Sequence, residues 1–192
     1  MKKVIIVEDV KTIRNGLKDL IDTSKNLQCI QTFENFEKFQ SDINNLNPDI
    51  ILIDLDLPGI SGIDGIKKLN GLSKKVTIIV LTLHEENERI FEALSAGASN
   101  YLVKNTPSKK MINIIEDAAE GKVLMNSFIA RKTYDYFKKK RNLKTLEKNE
   151  LNILKKVTEG NNLIAIENTL QISSNEIKNS FKNIYHKLYE AQ

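Results

Sequence analysis

The sequence predicts an α/β fold over its first part and a small all-helical unit after it. Three observations support this. Short apolar runs alternate with amphipathic segments through residues 1–120, polar side chains recur directly after those runs, and strand patterns stop after Gly121. Apolar runs of this kind are typical of parallel strands that helices cover on both faces. A chain of 192 residues is long enough for two small domains.

Five apolar runs predict the strands of one parallel sheet. Their side chains are mostly Val, Ile and Leu, as expected for strands buried on both faces. The runs are Lys3–Val7, Leu27–Phe33, Ile50–Ile53, Val76–Leu81 and Asn100–Val103. We predict a flavodoxin-like sheet with the strand order 2-1-3-4-5.

Amphipathic segments follow each strand, with apolar residues three or four positions apart. The predicted helices are Thr12–Thr23, Phe36–Leu46, Ile63–Leu72, Glu86–Ala96 and Ser108–Glu120. Gly97 lies directly after the fourth of them, which suits a helix C-cap. Pro58 and Gly59 mark a turn after the third strand. We therefore assign residues 1–120 to one α/β domain.

The remaining residues show helical patterns only. Phe128–Lys140 is predicted to be a basic helix or linker, and three further apolar patterns at helical spacing run through residues 146–188. Turn-forming residues separate these patterns, and a Ser cap precedes the last one. Short helices joined by tight turns predict a helix-turn-helix. We assign residues 121–142 to a linker and residues 143–192 to a helix-turn-helix domain.

Composition excludes several classes of protein. The chain is 41% hydrophobic and 28% charged, which is typical of globular proteins. No apolar run approaches the roughly 18 residues of a membrane span, and the short run after Lys3 stops too early for a signal peptide. The single cysteine, Cys29, excludes an intrachain disulfide and is expected in the core. We expect a cytoplasmic protein without a membrane partner.

Charge is distributed unevenly along the chain. Residues 1–120 carry a net charge of −3 and residues 121–192 a net charge of +7. This asymmetry favours a polyanionic partner for the second part. However, residues 121–142 hold seven basic residues and one acid, whereas residues 143–192 have a net charge of only +1. The helix-turn-helix itself therefore offers little surplus charge for DNA phosphates.

Polar side chains stand at the carboxyl ends of four predicted strands. Glu8 and Asp9 follow the first strand, Asp54 the third, Thr82 the fourth and Lys104 the fifth. In a doubly wound sheet these ends converge on one crevice. Carboxylates at about 4 Å repel each other by roughly 4 kcal/mol at an effective dielectric near 20. Mg²⁺ would offset that repulsion, because it favours a few carboxylates together with water and phosphate oxygens.

Asp54 is the candidate nucleophile of this cluster, since a carboxylate can attack phosphorus. Thr82 could donate its hydroxyl to a phosphoryl oxygen, and Lys104 could place a positive charge beside another. These residue types fit an aspartyl-phosphate site better than a hydrolytic acid–base pair. An aspartate-nucleophile phosphatase is the alternative, with Asp56 of the Asp-x-Asp sequence as general acid. That motif usually follows the first strand of such enzymes, whereas here it follows the third.

Residues 1–120 resemble the receiver domain of two-component response regulators. The resemblance rests on Glu8-Asp9, Asp54, Pro58-Gly59, Thr82 and Tyr101-Leu102-Val103-Lys104. It implies that Asp54 accepts a phosphoryl group from a histidine kinase and that the protein is a regulator, not an enzyme.

The same resemblance implies a role for each residue around the phosphoacceptor. Asp9 and Asp54 would bind Mg²⁺, with Glu8 acting through water and Asp56 through its backbone carbonyl. Thr82 and Tyr101 would form a switch pair that responds to phosphorylation. One residue departs from the pattern, since the position after the switch threonine is usually small and here is Leu83.

Residues 143–188 resemble the LuxR-type helix-turn-helix of the NarL/FixJ response regulators. The matching positions are Leu146, Glu150, Ile153, Leu154, Gly160, Ile166, Leu170, Ile172-Ser173, Ile177-Lys178, Asn183-Ile184 and Lys187-Leu188. The resemblance implies that a helix at about Ser174–Tyr189 enters the major groove. Lys178, Lys182 and Lys187 would face DNA, and Asn183 would touch its backbone. Transcription regulation follows, with a homodimer formed on phosphorylation.

Three departures leave another function open for this second resemblance. Glu176 stands where a threonine is usual, and Glu167 replaces a small residue of the scaffold helix. We also expect residues 143–192 to lack the fourth helix that supports dimerisation in the family. The alternative is therefore a receiver whose degenerate output domain acts through protein–protein contacts.

Overall fold

A five-stranded parallel sheet forms the centre of the α/β part of the protein. A computed structural model describes residues 1–69, 76–83, 88–139 and 143–191. The strands are β1 (Lys2–Val7), β2 (Leu27–Phe33), β3 (Ile50–Asp54), β4 (Thr77–Thr82) and β5 (Asn100–Val103). Their order is β2-β1-β3-β4-β5, which confirms the predicted topology.

The register of the central strands brings their carboxyl ends side by side. Val7 of β1 pairs with Ile53 of β3, and Asp54 pairs with Leu81 of β4. Every residue of β3 is buried, because this strand lies inside the sheet and has helices on both faces. Residues that follow β1, β3 and β4 therefore meet at one edge.

Helices cover both faces of the sheet and confirm the predicted alternation. They are α1 (Lys11–Asp22), α2 (Phe36–Leu46), α3 (Gly62–Leu69), α4 (Glu88–Ser95) and α5 (Ser108–Ala119). One apolar cluster lies between the sheet and α1 and α5, and includes Cys29. Another joins the opposite face to α2, α3 and α4. The predicted ends of two helices, residues 70–72 and 86–87, lie outside the described residues.

Further helices follow the sheet, as the periodicity predicts. The linker region forms α6 (Ser127–Lys139), and after a 3-10 turn (Leu143–Thr145) come α7 (Lys148–Thr158), α8 (Leu163–Leu170) and α9 (Ser174–Glu190). Residues 140–142, part of the predicted linker, lie outside the described residues. Ser173 caps α9, because its side chain accepts a hydrogen bond from the backbone N–H of Glu176.

The C-terminal helices share their core with the α/β part. Ile90 and Leu94 of α4 and Tyr101 of β5 belong to the same apolar cluster as Phe181 and Tyr185 of α9. Burial of apolar side chains therefore holds the two parts together. Within the described residues, no helix combines the length and the apolar character that crossing a membrane requires.

Candidate functional site

Three carboxylates meet at the carboxyl edge of the sheet. One oxygen from each of Glu8, Asp9 and Asp54 lies within 4.8 Å of the others. Glu8 and Asp54 are buried, while Asp9 is exposed. The adjacency of β1 and β3 causes this grouping, because both strands end at the same level of the sheet.

Lys104 joins two of these carboxylates. Its Nζ lies 2.8 Å from Oε2 of Glu8 and 3.0 Å from Oδ2 of Asp54. Burial raises the pKa of Glu8, and the hydrogen bond from Lys104 only partly opposes this rise. Burial alone would lower the pKa of Lys104, but its hydrogen bonds to Glu8 and Asp54 prevail and raise it. Lys104 therefore stays protonated and offsets the repulsion between the two acids.

The second oxygen of Asp54 has no such partner. Among the described residues, none forms a hydrogen bond with its buried Oδ1. Buried polar atoms without partners are rare in folded proteins, and an absent ion or ligand is one cause. Oxygen atoms of carboxylates are also the ligands that Mg²⁺ prefers. The cluster therefore fits a hard divalent cation.

The two candidate switch residues are both buried. Thr82 ends β4, and its backbone carbonyl accepts a hydrogen bond from the backbone N–H of Lys104 at 2.7 Å. Tyr101 of β5 is 5% exposed, so its ring lies inside the molecule. Leu83, the departure from the family pattern, is 56% exposed. Most of that side chain therefore lies in solvent.

Gly62 lets the start of α3 approach the end of β3 closely. A Cβ at this position would lie 2.1 Å from the backbone carbonyl oxygen of Asp54. The backbone N–H of Gly62 also donates to the carbonyl of Leu55 at 3.3 Å. Any larger residue would force the helix away from the site.

Two arginines that were not predicted from the sequence hold the loops of the site. Nη1 of Arg14, in α1, donates to the backbone carbonyls of Glu8 at 2.6 Å and of Asp9 at 2.9 Å. Arg89, in α4, donates to the carbonyl of Leu55 at 2.7 Å and forms an ion pair with Asp56. A cation in the first turn of a helix opposes the helix dipole. This unfavourable position is the feature of the sequence that could have indicated a specific contact for Arg89.

The lysines predicted to face DNA do not share one open surface. Nζ of Lys178 lies 3.7 Å from Asp117 of α5, and Lys182 lies against Gly121. Nζ of Lys187 lies 2.7 Å from the buried carboxylate of Glu150 in α7. Asn183 is exposed. In this arrangement, α9 therefore presents Lys178 to α5, whereas Lys182 stays exposed.

A hydrogen-bonded chain connects β5 with α9 through the segment between α5 and α6. The side-chain oxygen of Asn100 accepts from the backbone N–H of Leu124 at 3.2 Å. The hydroxyl of Tyr185 donates to the carbonyl of Leu124 at 2.6 Å. Burial, and then the neighbouring Tyr101, raise the pKa of Tyr185 well above its usual value. Asparagine is unfavourable inside strands, so Asn100 was an unused signal in the sequence for this connection.

Comparison with known proteins agrees with this geometry. Residues 4–116 match the family described as response regulator receiver domain. The transcriptional regulatory protein YdfI of Bacillus subtilis is 34% identical, over 98% of this chain and 90% of that protein. The nitrate/nitrite response regulator NarL of Escherichia coli K12 is 25% identical, over 96% of this chain and 88% of that protein.

A solved structure of the response regulator RcsB from Salmonella typhimurium has the same fold along nearly the whole chain. The TM-score is 0.60 at 22% identity, and the match covers 97% of this chain and 91% of that one. The family match spans more than half of the chain and contains Glu8, Asp9, Asp54 and Lys104. This chain therefore belongs to the response regulators of two-component systems, among the relatives of NarL and the LuxR-type regulators.

Proposed function

We propose that a histidine kinase phosphorylates Asp54 and that phosphorylation controls transcription through DNA binding by the helix-turn-helix. One observation carries the proposal. Lys104 binds one carboxylate oxygen of Asp54, while the buried Oδ1 has no hydrogen bond within the described residues. A carboxylate oxygen of Asp54 would form the bond to phosphorus as the bond from phosphorus to the donor breaks.

The neighbouring residues have separate tasks in this transfer. Asp9, Asp54 and the backbone carbonyl of Asp56 would hold Mg²⁺, with Glu8 acting through water. The cation would supply charge neutralisation on the transferring phosphoryl group. Lys104 orients Asp54 and adds a fixed positive charge. Thr82 would donate its hydroxyl to a phosphoryl oxygen.

We infer that the switch pair transmits phosphorylation to α9. Movement of Thr82 and Tyr101 would change the surface formed by β4, α4 and β5, on which α9 packs. Separation of α9 would release Lys178 from Asp117, and dimerisation would follow. The proposed DNA contacts are Lys178, Lys182, Asn183 and Lys187. For Lys187, DNA phosphate has to compete with Glu150.

The descriptions of two similar proteins support a DNA-binding role. YdfI is named a transcriptional regulatory protein, and the RcsB structure is described as showing conformational dynamism for DNA interaction. A cytoplasmic location would place the protein with both its kinase and its DNA target.

Asp54→Ala tests the phosphoacceptor assignment. The wild-type protein, given a small phosphodonor and Mg²⁺, should gain one phosphoryl group in intact-mass spectrometry, and Asp54→Ala should gain none. Asp19→Ala is the control, because it removes an exposed carboxylate of α1 that lies outside the acidic cluster. A phosphoryl group retained on Asp54→Ala would refute the assignment.

Selection from random duplex DNA tests the output. We expect the protein to enrich a shared sequence in the presence of the phosphodonor and to enrich it more weakly without it. No enrichment in either state would instead support an output that acts through protein–protein contacts. The ion pairs of Lys178 and Lys187 favour that second candidate, because they leave α9 fewer cations for phosphate.

A further inference from the structure

The first turn of α4 contacts two distant parts of the molecule. Its Arg89 binds the loop after β3, through the carbonyl of Leu55 at 2.7 Å and the carboxylate of Asp56. The preceding residue, Glu88, forms an ion pair with Lys132 of α6. Adjacent residues of one helical turn therefore hold the phosphoacceptor loop and the linker helix.

On the side of the loop, Arg89 fixes residues that directly follow Asp54. Its guanidinium donates to the main chain of Leu55 and to the side chain of Asp56, as a rigid fork can do. Contacts to the peptide group before Asp56 and to its side chain restrict the movement of this residue. Asp56 is also the residue whose backbone carbonyl we assign to the cation. Arg89 would thus act on the cation through Asp56, as a positioning residue.

On the side of the linker, α6 packs against α4. The rings of Phe91 in α4 and Tyr136 in α6 have centroids 5.9 Å apart. Tyr136 also donates its hydroxyl to the carbonyl of Ala191 at 2.9 Å, next to the end of α9. A displacement of the first turn of α4 would therefore reach both α6 and the end of α9.

We propose that this turn is an ionic bridge, formed by Asp56, Arg89, Glu88 and Lys132, which couples cation binding at the phosphoacceptor site to the position of α6. The inference rests on the proposed function, because it uses the same cation site. The Arg89–Asp56 and Glu88–Lys132 ion pairs form with α4 in the same position. Each pair therefore stabilises the position of α4 in which the other can form. Coupling of this kind is reciprocal. Exposed ion pairs are individually weak, so we expect severalfold effects.

Charge-conserving substitution isolates the positioning role. Arg89→Lys keeps the charge but cannot hold the carbonyl and the carboxylate in the same fork. We expect the dissociation constant for Mg²⁺, measured by calorimetry on the unphosphorylated protein, to rise about two- to fivefold. Arg131→Lys is the matched control on the exposed surface of α6 and should leave the constant unchanged. Asp56→Asn should weaken Mg²⁺ binding as Arg89→Lys does. It replaces Arg89→Lys as the test if Arg89→Lys is unstable.

Two further variants test the linker half of the bridge. Glu88→Gln and Lys132→Gln remove the same ion pair but change the net charge in opposite directions. If the bridge couples α6 to the site, both variants weaken Mg²⁺ binding, by about twofold, as expected for an exposed pair. Opposite changes in the two variants would indicate simple charge effects and overturn the coupling. Glu92→Gln, at an exposed position of α4, controls for loss of an acid.

The outcomes separate this inference from the proposed function. If the wild-type protein binds no Mg²⁺, the proposed site itself fails. If the wild-type protein binds Mg²⁺ and Arg89→Lys and Asp56→Asn bind it equally well, the positioning role of Arg89 fails and the site stands.

Discussion

At the scale of single residues, the site depends on close approaches that tolerate no extra atoms. Lys104 lies between two buried carboxylates, and Gly62 packs directly on the carbonyl of Asp54. The first contact balances charge. The second sets the distance between α3 and β3, and with it the position of the loop that carries Leu55 and Asp56.

Gly62→Ala and Gly16→Ala form a matched pair, because both glycines lie in helices. The added Cβ of Gly62→Ala would lie 2.1 Å from the oxygen of Asp54, whereas at Gly16 the described part of the chain places no obstructing atom within 4 Å. We expect Gly62→Ala to lower the free energy of unfolding by about 1–3 kcal/mol. Gly16→Ala should raise it by about 0.5–1 kcal/mol, because alanine favours helices. Urea unfolding followed by circular dichroism measures both, and equal effects would contradict the packing argument.

At the scale of secondary-structure elements, α9 has two sets of constraints. Ser173 and Glu176 form a capping box at its first turn. Glu176, which departs from the threonine usual at this position, therefore has a structural role in α9. Tyr185, near the middle of the helix, donates to the carbonyl of Leu124. The first constraint stabilises the helix itself, and the second fixes it to the segment between α5 and α6, which Asn100 of β5 holds.

The capping role of Glu176 predicts a pH dependence. Hydrogen bonds from Ser173, first from its backbone, hold the pKa of Glu176 below its ordinary value of 4.5. A carboxylate with a lowered folded-state pKa contributes stability above its unfolded pKa and loses it as the pH falls through the folded value. Glu176→Gln should therefore lose less stability than the wild type as the pH falls below about 4.5. Thermal melts across this range test the sign, and identical pH profiles would exclude the role.

Tyr185→Phe tests the contact between α9 and the segment that follows α5. The substitution removes one hydrogen bond of a buried hydroxyl and should cost about 0.5–1.5 kcal/mol of unfolding free energy. It should also raise hydrogen exchange at the face of α9 that packs on α4. Tyr189→Phe is the control, because Tyr189 is 40% exposed in the same helix. If both variants exchange alike, the hydroxyl of Tyr185 does not hold this contact.

At the scale of the whole molecule, the arrangement is closed, with α9 packed on the receiver near Tyr101. Beryllium fluoride with Mg²⁺ imitates the charge and shape of a phosphoryl group. We expect it to increase the radius of gyration of the wild-type protein in small-angle X-ray scattering, because α9 separates from α4. Asp54→Ala should show no increase. A wild-type protein that stays equally compact would contradict opening as the response to phosphorylation.

The sequence by itself determined the order of elements and the cluster at the carboxyl edge of the sheet. A strand as apolar as Ile50–Asp54 is expected in the buried centre of a sheet. Parallel topology then places Glu8, Asp9 and Asp54 together at one edge. The sequence also located the C-terminal helices, whose apolar residues follow the helical period.

Only the tertiary structure decided what α4 and α9 contact. Arg89 meets Asp56 across 33 positions of sequence, and Tyr185 meets Leu124 across 61. Periodicity shows which face of a helix is apolar, but it does not show which surface that face will cover. The docking of α9, and with it the direction in which Lys178 and Lys182 point, depends on packing between parts of the chain that no local pattern relates.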